Sequence, residues 1–139
     1  MMSEQNKQIV RRFNQQVIAE GNRQAFDELV AEQFINHTAP PGMASDKQSL
    51  WNTFDRVLRP AISQLQVSLE LLVAENDIVS ARKIISGYHT GPLGGVMETG
   101  LPIVISVFDM VQIRDGRYIA HWGLNNLPEV IRQLQAASH

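Results

Sequence analysis

The chain contains no cysteine, so disulfides, thiolate catalysis and thiolate metal sites are excluded. No apolar run approaches the roughly 18 residues of a membrane span, and the polar N-terminus has no apolar signal segment behind it. Its 12 basic and 14 acidic residues are scattered and give a net charge of −2, so it has no basic surface for nucleic acid. We therefore expect a soluble, cytoplasmic protein with neither a membrane nor a nucleic-acid partner.

The apolar residues that are present suffice for one core. They make up 44% of the chain, and 139 residues fit a single domain that spans positions 1–139. Apolar residues at helical spacing predict a helix from Glu4 to Glu20, with Ser3 as its N-cap and Gly21 as its stop. A shorter helix, capped by Asn22, is expected to end near Glu32.

The second half of the chain has the alternation of β-strands. Residues 34–36 begin as a strand that ends at paired prolines, and a third helix capped by Ser45 or Asp46 follows. From residue 65 the apolar period changes to two, which predicts strands at 65–73, 78–86, 101–114 and 117–124, with a Gly-rich loop at 87–100. Asn126 and Glu129 form a predicted cap-like pair that opens a C-terminal helix. Helices followed by an antiparallel meander favour an α+β fold, with the helices on one face of a curved sheet.

One carboxylate stands out in the last predicted hairpin, whose strands are joined by the turn pair Asp115-Gly116. With a period of two, Asp109 shares its face of the strand with branched aliphatic residues. A carboxylate in such surroundings must be paired, hydrogen-bonded or raised in pKa, and a raised pKa would make it a usable base near neutral pH. Asp109 is therefore a candidate general base, and a structural ion pair is the alternative.

Histidines and asparagines supply further candidates. His121 and Asn125 share one face of the returning strand and line a pocket if that face does. Asn36 and His37 lie just ahead of the Pro-Pro turn, where His37 could instead hold the turn through the backbone. His37, His89 and His121 match no zinc-ligand spacing, so no metal is expected.

Three more side chains are candidate ligand contacts, each with a plainer alternative. Trp51 could wall a pocket or belong to the core. Arg82 could pair with Asp109 or Glu70, or anchor an anionic group, but a surface position with a snorkelling stem is the simpler interpretation. His89, at the start of the Gly-rich loop, could contact a ligand or be solvated.

Several local strings, in this order and spacing, resemble the SnoaL-like polyketide cyclase family of the nuclear transport factor 2-like superfamily. They are VRRFN at 10–14, DELV at 27–30, FINH at 34–37, YHTG at 88–91, TGLP at 99–102, and DGR at 115–117 followed by His121-Trp122. The resemblance implies a cone-shaped α+β barrel, in which helices close a strongly bent antiparallel sheet over an apolar pocket. It places His37 at the mouth of that pocket.

The resemblance also implies an activity, the intramolecular aldol closure of a polyketide ester without a metal or organic cofactor. One base and a few hydrogen-bond donors suffice for this reaction. The family's acid/base aspartate follows the His-Trp pair, where this chain has Gly123, which cannot transfer a proton. Asp109 is then the candidate substitute, with His121 and His37 orienting it or donating to an enolate oxygen.

Alternatives follow from the same resemblance. The scaffold could bind a small apolar ligand without catalysis, which Gly123 favours, or host an isomerase or epoxide hydrolase reaction. The apolar residues Phe108, Met110 and Trp122 on the outer sheet face predict a homodimer through that face.

Overall fold

A computed structural model describes residues 2–138 as four helices and five strands. Helix α1 comprises an α-helical part, Met2–Arg12, and a π-helical part, Phe13–Ala19; α2 is Arg23–Leu29; α3 comprises Lys47–Asn52, the π-helical Thr53–Leu58 and Arg59–Ala61; and α4 is Leu127–Ala137. The strands are β1 (Val30–Asn36), β2 (Ile62–Glu75), β3 (Ile78–His89), β4 (Pro102–Arg114) and β5 (Arg117–Asn125).

The five strands form one open, mixed sheet in the order β1-β5-β4-β3-β2. Strands β2 to β5 are an antiparallel meander, as the alternating pattern predicts, and β1 adds a parallel edge against β5. Helices α1 and α3 cover one face of this sheet. The α+β prediction is confirmed, with the parallel edge strand as an addition that the pattern did not reveal.

Local sequence accounts for several of the boundaries. The side chain of Asn22 accepts a hydrogen bond from the Ala25 amide at 3.0 Å and caps α2, and Asp46 caps α3 in the same way. Asp115 and Gly116 have φ values of 52° and 77°, the conformation of a tight hairpin turn.

The first two helices are shifted from their predicted limits. Because α1 begins at Met2, Ser3 lies inside its first turn and is not the N-cap. Helix α2 ends at Leu29 rather than near Glu32, since β1 begins at Val30 and Glu32 lies within that strand. The buried stripe thus passes directly from helix to strand without an intervening loop.

The predicted cap-like pair at α4 is wrong. Asn126 gives the helix no side-chain cap, because its Oδ1 accepts from the Ser106 amide at 2.9 Å. The neighbouring Asn125 accepts from the Leu127 amide instead, and Glu129 pairs with an arginine one turn later. Strands β2, β3 and β5 are also longer than predicted, and β3 runs through His89, which shortens the Gly-rich loop.

Burial along β4 alternates as its sequence predicts. Ile105, Val111 and Ile113 are buried on the inner face, toward the helices, and Asp109 lies among them. Phe108 and Met110 point to the outer face and are 62% and 44% exposed. The inner face is therefore the one that can enclose a site.

Candidate active site

A cavity of about 310 Å³ lies between the inner face of the sheet and helices α1 and α3. Most of its wall is apolar; contributors include Phe34, Phe54, Leu58, Ile85, Ile105 and Val111. A few polar side chains from α1, β1, β3, β4 and β5 also line it. A concave, mostly apolar space with a few convergent polar groups is the usual form of a small-molecule site.

The centre of the polar group is an ion pair between Asp109 and Lys83. Lys83 Nζ lies 3.1 Å from Asp109 Oδ2, and the two side chains are only 7% and 10% exposed. Asp109 is in register with Ala81, two residues before Lys83, so the pair is a diagonal neighbour on the inner face. Neighbouring strands therefore bring both charges into one buried position.

Helix α1 supplies a second contact of this ammonium. Lys83 Nζ donates to Asn14 Oδ1 at 2.8 Å, and Asn14 Nδ2 donates to the Val10 carbonyl at 2.9 Å. Asn14 lies on the stripe of α1 that faces the sheet and is itself buried. The lysine is thereby held from a strand on one side and a helix on the other.

His121 approaches the same carboxylate from β5. Its Nε2 lies 3.4 Å from Asp109 Oδ2, and its Nδ1 lies 2.9 Å from Asn36 Oδ1. That amide oxygen also accepts from the Thr38 backbone N–H at 3.2 Å, which identifies it as the oxygen. His121 therefore donates through Nδ1, and its Nε2 is the ring nitrogen that faces Asp109.

The absence of a side chain at Gly123 leaves room for the imidazole of His121. Gly123 is paired with Asp109 across the hairpin and shares a face with His121. A Cβ at Gly123 would lie 2.8 Å from His121 Cε1 and 3.1 Å from its Nε2. The ring thus occupies the space that any side chain at position 123 would need.

Asp109 is ionised at neutral pH. Burial alone would raise its pKa, but the positive charge of Lys83 and the contact with His121 together hold the pKa below its ordinary value of 3.8. Of the alternatives that the sequence left open, pairing and hydrogen bonding apply and a raised pKa does not. Burial, reinforced by the Asp109 charge, raises the pKa of Tyr118 well above its usual value, so this cavity residue stays a neutral phenol.

Two predicted pocket residues lie elsewhere. His37 stacks on Trp122, with ring centroids 4.7 Å apart, and is exposed rather than part of the cavity wall. Its backbone N–H, rather than its side chain, donates to the His121 carbonyl at 2.8 Å. Trp51 packs in the core against Phe26.

Of the remaining predicted ligand contacts, two line the cavity and two do not. Asn36 and Asn125 line the cavity. Arg82 is exposed on the outer face and does not pair with Asp109, in keeping with the surface alternative. His89 is fully buried rather than solvated, and it contacts Thr99 at 2.9 Å, away from the cavity wall.

Sequence reasoning missed Lys83 and Asn14. The alternation that places Val79, Ala81 and Ile85 on the inner face also places Lys83 there, whereas Arg82, the neighbour that drew attention, has the opposite parity. Asn14 follows Val10 by one helical turn, so its place on the apolar stripe was also in the sequence. In both cases the signal was a polar residue at an apolar position of the period.

Other kinds of site find little support in residues 2–138. No group of three or more histidine, aspartate or glutamate side chains in that range is placed to hold a metal ion. No helix of the described chain is long and apolar enough to cross a membrane.

Comparison with known proteins gives one family and many similar structures. The family model for SnoaL-like polyketide cyclases matches residues 8–134. No curated protein matches the sequence. TsrD from Streptomyces laurentii is 24% identical, with a TM-score of 0.83 and 96% of each chain covered.

Two further structures are similar over nearly the whole chain. IdmH from Streptomyces antibioticus, described as a candidate polyketide cyclase, is 21% identical with a TM-score of 0.81, covering 94% of this chain and 98% of its own. A candidate polyketide cyclase from Acidithiobacillus ferrooxidans is 24% identical with a TM-score of 0.81, covering 96% of each chain. At these identities the structural similarity shows the fold.

Proposed function

The chain belongs to the SnoaL-like polyketide cyclase family, and we propose that it is a cofactor-independent acid/base enzyme that removes a proton beside the carbonyl of a small apolar substrate. The observation that carries the proposal is the Lys83–Asp109–His121 cluster inside the cavity. A fixed base next to hydrogen-bond donors in a mostly apolar cavity is what enolate chemistry requires.

Asp109 is the proposed base. Among the described residues, Lys83 and His121 both contact its Oδ2, which leaves Oδ1 to accept the substrate proton. A lowered pKa makes Asp109 a weak base, so the developing enolate must be stabilised in return. The Lys83 ammonium supplies that charge at the site, and His121 Nε2 shares the arriving proton.

Gly123 does not remove this chemistry under the proposal. The imidazole of His121 fills the space beside Gly123 and meets Asp109 on the paired strand. Proton transfer is thus assigned to residues 109 and 121, not to the residue after His-Trp. His37 has no catalytic role here, because it stacks outside the cavity.

The test is deuterium exchange at the α-carbon of cyclohexanone in D₂O, followed by proton NMR. The wild-type protein should accelerate exchange above buffer, and Asp109→Asn should lose most of the acceleration. Asp115→Asn is the matched control, because it makes the same chemical change at the exposed turn of the same hairpin, where Asn-Gly is favoured. Equal exchange by wild type and Asp109→Asn would overturn the assignment.

A second candidate function is binding of a small apolar ligand without catalysis. Gly123 in place of the family's aspartate favours it, as does the low pKa of Asp109. This candidate predicts ketone binding by calorimetry with no accelerated exchange in any variant. Cyclisation, isomerisation and epoxide hydrolysis differ in substrate and are separated by product analysis.

The proposal includes a homodimer through the outer sheet face and a cytoplasmic location. Leu71, Val73, Val104 and Phe108 are each more than half exposed, and Met110 lies on the same face. Isolated exposed apolar residues are ordinary, but a group on one sheet favours association. A monomer by sedimentation at micromolar concentration would refute the dimer.

A further inference from the structure

Lys83 places a primary amine inside the cavity. The chain has three lysines, Lys7, Lys47 and Lys83, and among them only Lys83 lines this cavity. Most of the cavity wall is apolar, and the amine of Lys83 lies beside the carboxylate to which proton abstraction is assigned. An amine so placed is close to any carbonyl group that Asp109 acts upon.

The neighbours of Lys83 can handle the protons of amine chemistry. Asp109 Oδ2 lies 3.1 Å from Nζ, and His121 Nε2 lies 3.4 Å from the same oxygen. Asn14 Oδ1 accepts from Nζ at 2.8 Å and fixes its position. A buried lysine with an acid/base group in contact is the arrangement that imine-forming enzymes use.

We propose that Lys83 is a nucleophile that forms a protonated imine with a ketone or aldehyde bound in the cavity. This rests on the proposed function, since it assumes that the cavity takes carbonyl compounds. In the step, the Lys83 ammonium passes one proton to Asp109. The nitrogen lone pair then bonds to the carbonyl carbon, and the C=O π pair moves to oxygen.

The carbinolamine forms when that oxygen receives a proton from the nitrogen. Asp109 returns its proton to the hydroxyl, the C–O bond breaks, and water leaves as the nitrogen lone pair makes the C=N bond. Overall, an ammonium and a carbonyl become an iminium and one water. No oxidant, reductant or further reactant is required.

Retention of the positive charge on the lysine nitrogen favours the iminium product in the cavity. A neutral covalent product on Lys83 would leave the ionised Asp109 as an unpaired buried charge, which is costly. An iminium keeps the positive charge on the same nitrogen, so the carboxylate retains its partner after the covalent bond forms. The iminium also draws electrons from the α-carbon more strongly than a carbonyl, which suits a base as weak as Asp109.

The test is reductive trapping with cyclohexanone and sodium cyanoborohydride at pH 7, followed by peptide mass mapping. The reduced adduct should form on Lys83 on the order of ten-fold faster than on Lys7 or Lys47. Lys47 is the internal control, because it is also nearly buried but lies outside the cavity. Lys83→Arg should lose the adduct and Lys47→Arg should keep it.

Equal labelling of the three lysines, or none on Lys83, would overturn the proposal. The comparison within the wild-type protein decides the matter even where Lys83→Arg fails to fold. Reductive trapping tests the imine, and deuterium exchange tests the proposed acid/base function, so a negative result in one does not imply a negative result in the other. Exchange that depends on Asp109 without any adduct contradicts the imine alone, whereas an adduct without accelerated exchange contradicts the proposed acid/base function alone.

Discussion

Two nearly buried lysines, Lys83 and Lys47, are paired with carboxylates in opposite ways. Lys83 meets Asp109, and both side chains are at most 10% exposed. Lys47 is also 10% exposed, but its partners Glu32 and Asp27 are 87% and 52% exposed. One pair is therefore buried on both sides, and the other has its negative charges in water.

The difference matters because water screens the Lys47 pairs and does little for the Lys83 pair. Solvated carboxylates lose little when their partner is removed, whereas a buried one is left without compensation. The buried pair also carries a third member, His121, and lies in a cavity. Sequence composition treats the two lysines alike, and only their surroundings separate a surface contact from a candidate catalytic group.

The largest expected effect comes from Asp109→Asn. It should lower exchange activity about 10³-fold and destabilise the fold by about 3 kcal/mol, because Lys83 is left buried without a counter-charge. Deuterium exchange and urea unfolding measure the two effects. Replacing both partners, Lys83→Met with Asp109→Leu, should restore most of the stability and none of the activity. A double variant as unstable as the single one would contradict the ion-pair account.

Gly123→Ala tests the role of His121, the third member of the buried cluster, which has no counterpart around Lys47. The new Cβ would displace the His121 ring, and we expect a loss of activity on the order of 10²-fold in kcat with a smaller change in stability. The same substitution in a His121→Ala background should have little further effect, since the ring is already gone. A full effect of Gly123→Ala without the imidazole would show that the glycine acts in another way.

Acid should protonate Asp109, and so break the buried ion pair, at a lower pH than it protonates an ordinary aspartate. The pKa of Asp109 is lower in the folded than in the unfolded state. The contribution of Asp109 to stability is therefore fully present above pH 3.8 and is lost as the pH falls through the folded pKa. The stability difference between wild type and Asp109→Asn should thus shrink as the pH falls below 3.8. Urea titrations across this range measure it, and a difference that grows on acidification would reverse the assigned sign.

The smallest expected effect is that of Glu32→Gln. Because Glu32 is largely solvated and Lys47 keeps Asp27 nearby, the loss should be below about 1 kcal/mol and should diminish in high salt. Urea unfolding at two salt concentrations tests it. A loss as large as that of Asp109→Asn would erase the distinction between the two lysines.

The fold was largely predictable because its signals are local. Apolar periodicity, the Asn22 and Asp46 caps and the Asp115-Gly116 turn each act within a few residues. Asp109 was identifiable for the same reason, as a polar residue on an apolar face. The parallel pairing of β1 with β5 joins segments about 85 residues apart, so no local pattern indicates it.

The partners of Asp109 depended on tertiary structure. Lys83 and Asn14 reach each other across 69 positions of sequence, and the contact exists only once α1 lies over β3. His37 was misplaced because its ring stacks on Trp122, a contact that the order of residues does not specify. The face of a strand on which each residue lies was thus predictable, whereas the contacts between residues of different strands and helices were not.

The crowding of His121 over Gly123 constrains how this hairpin can change in evolution. A side chain can be gained at position 123 only after the imidazole has moved or been lost. Substitutions at 121 and 123 are therefore ordered, and a lineage that took them in the wrong order would pass through an intermediate with a displaced ring. Relatives with an acidic residue after His-Trp should accordingly differ from this chain in the orientation of that histidine.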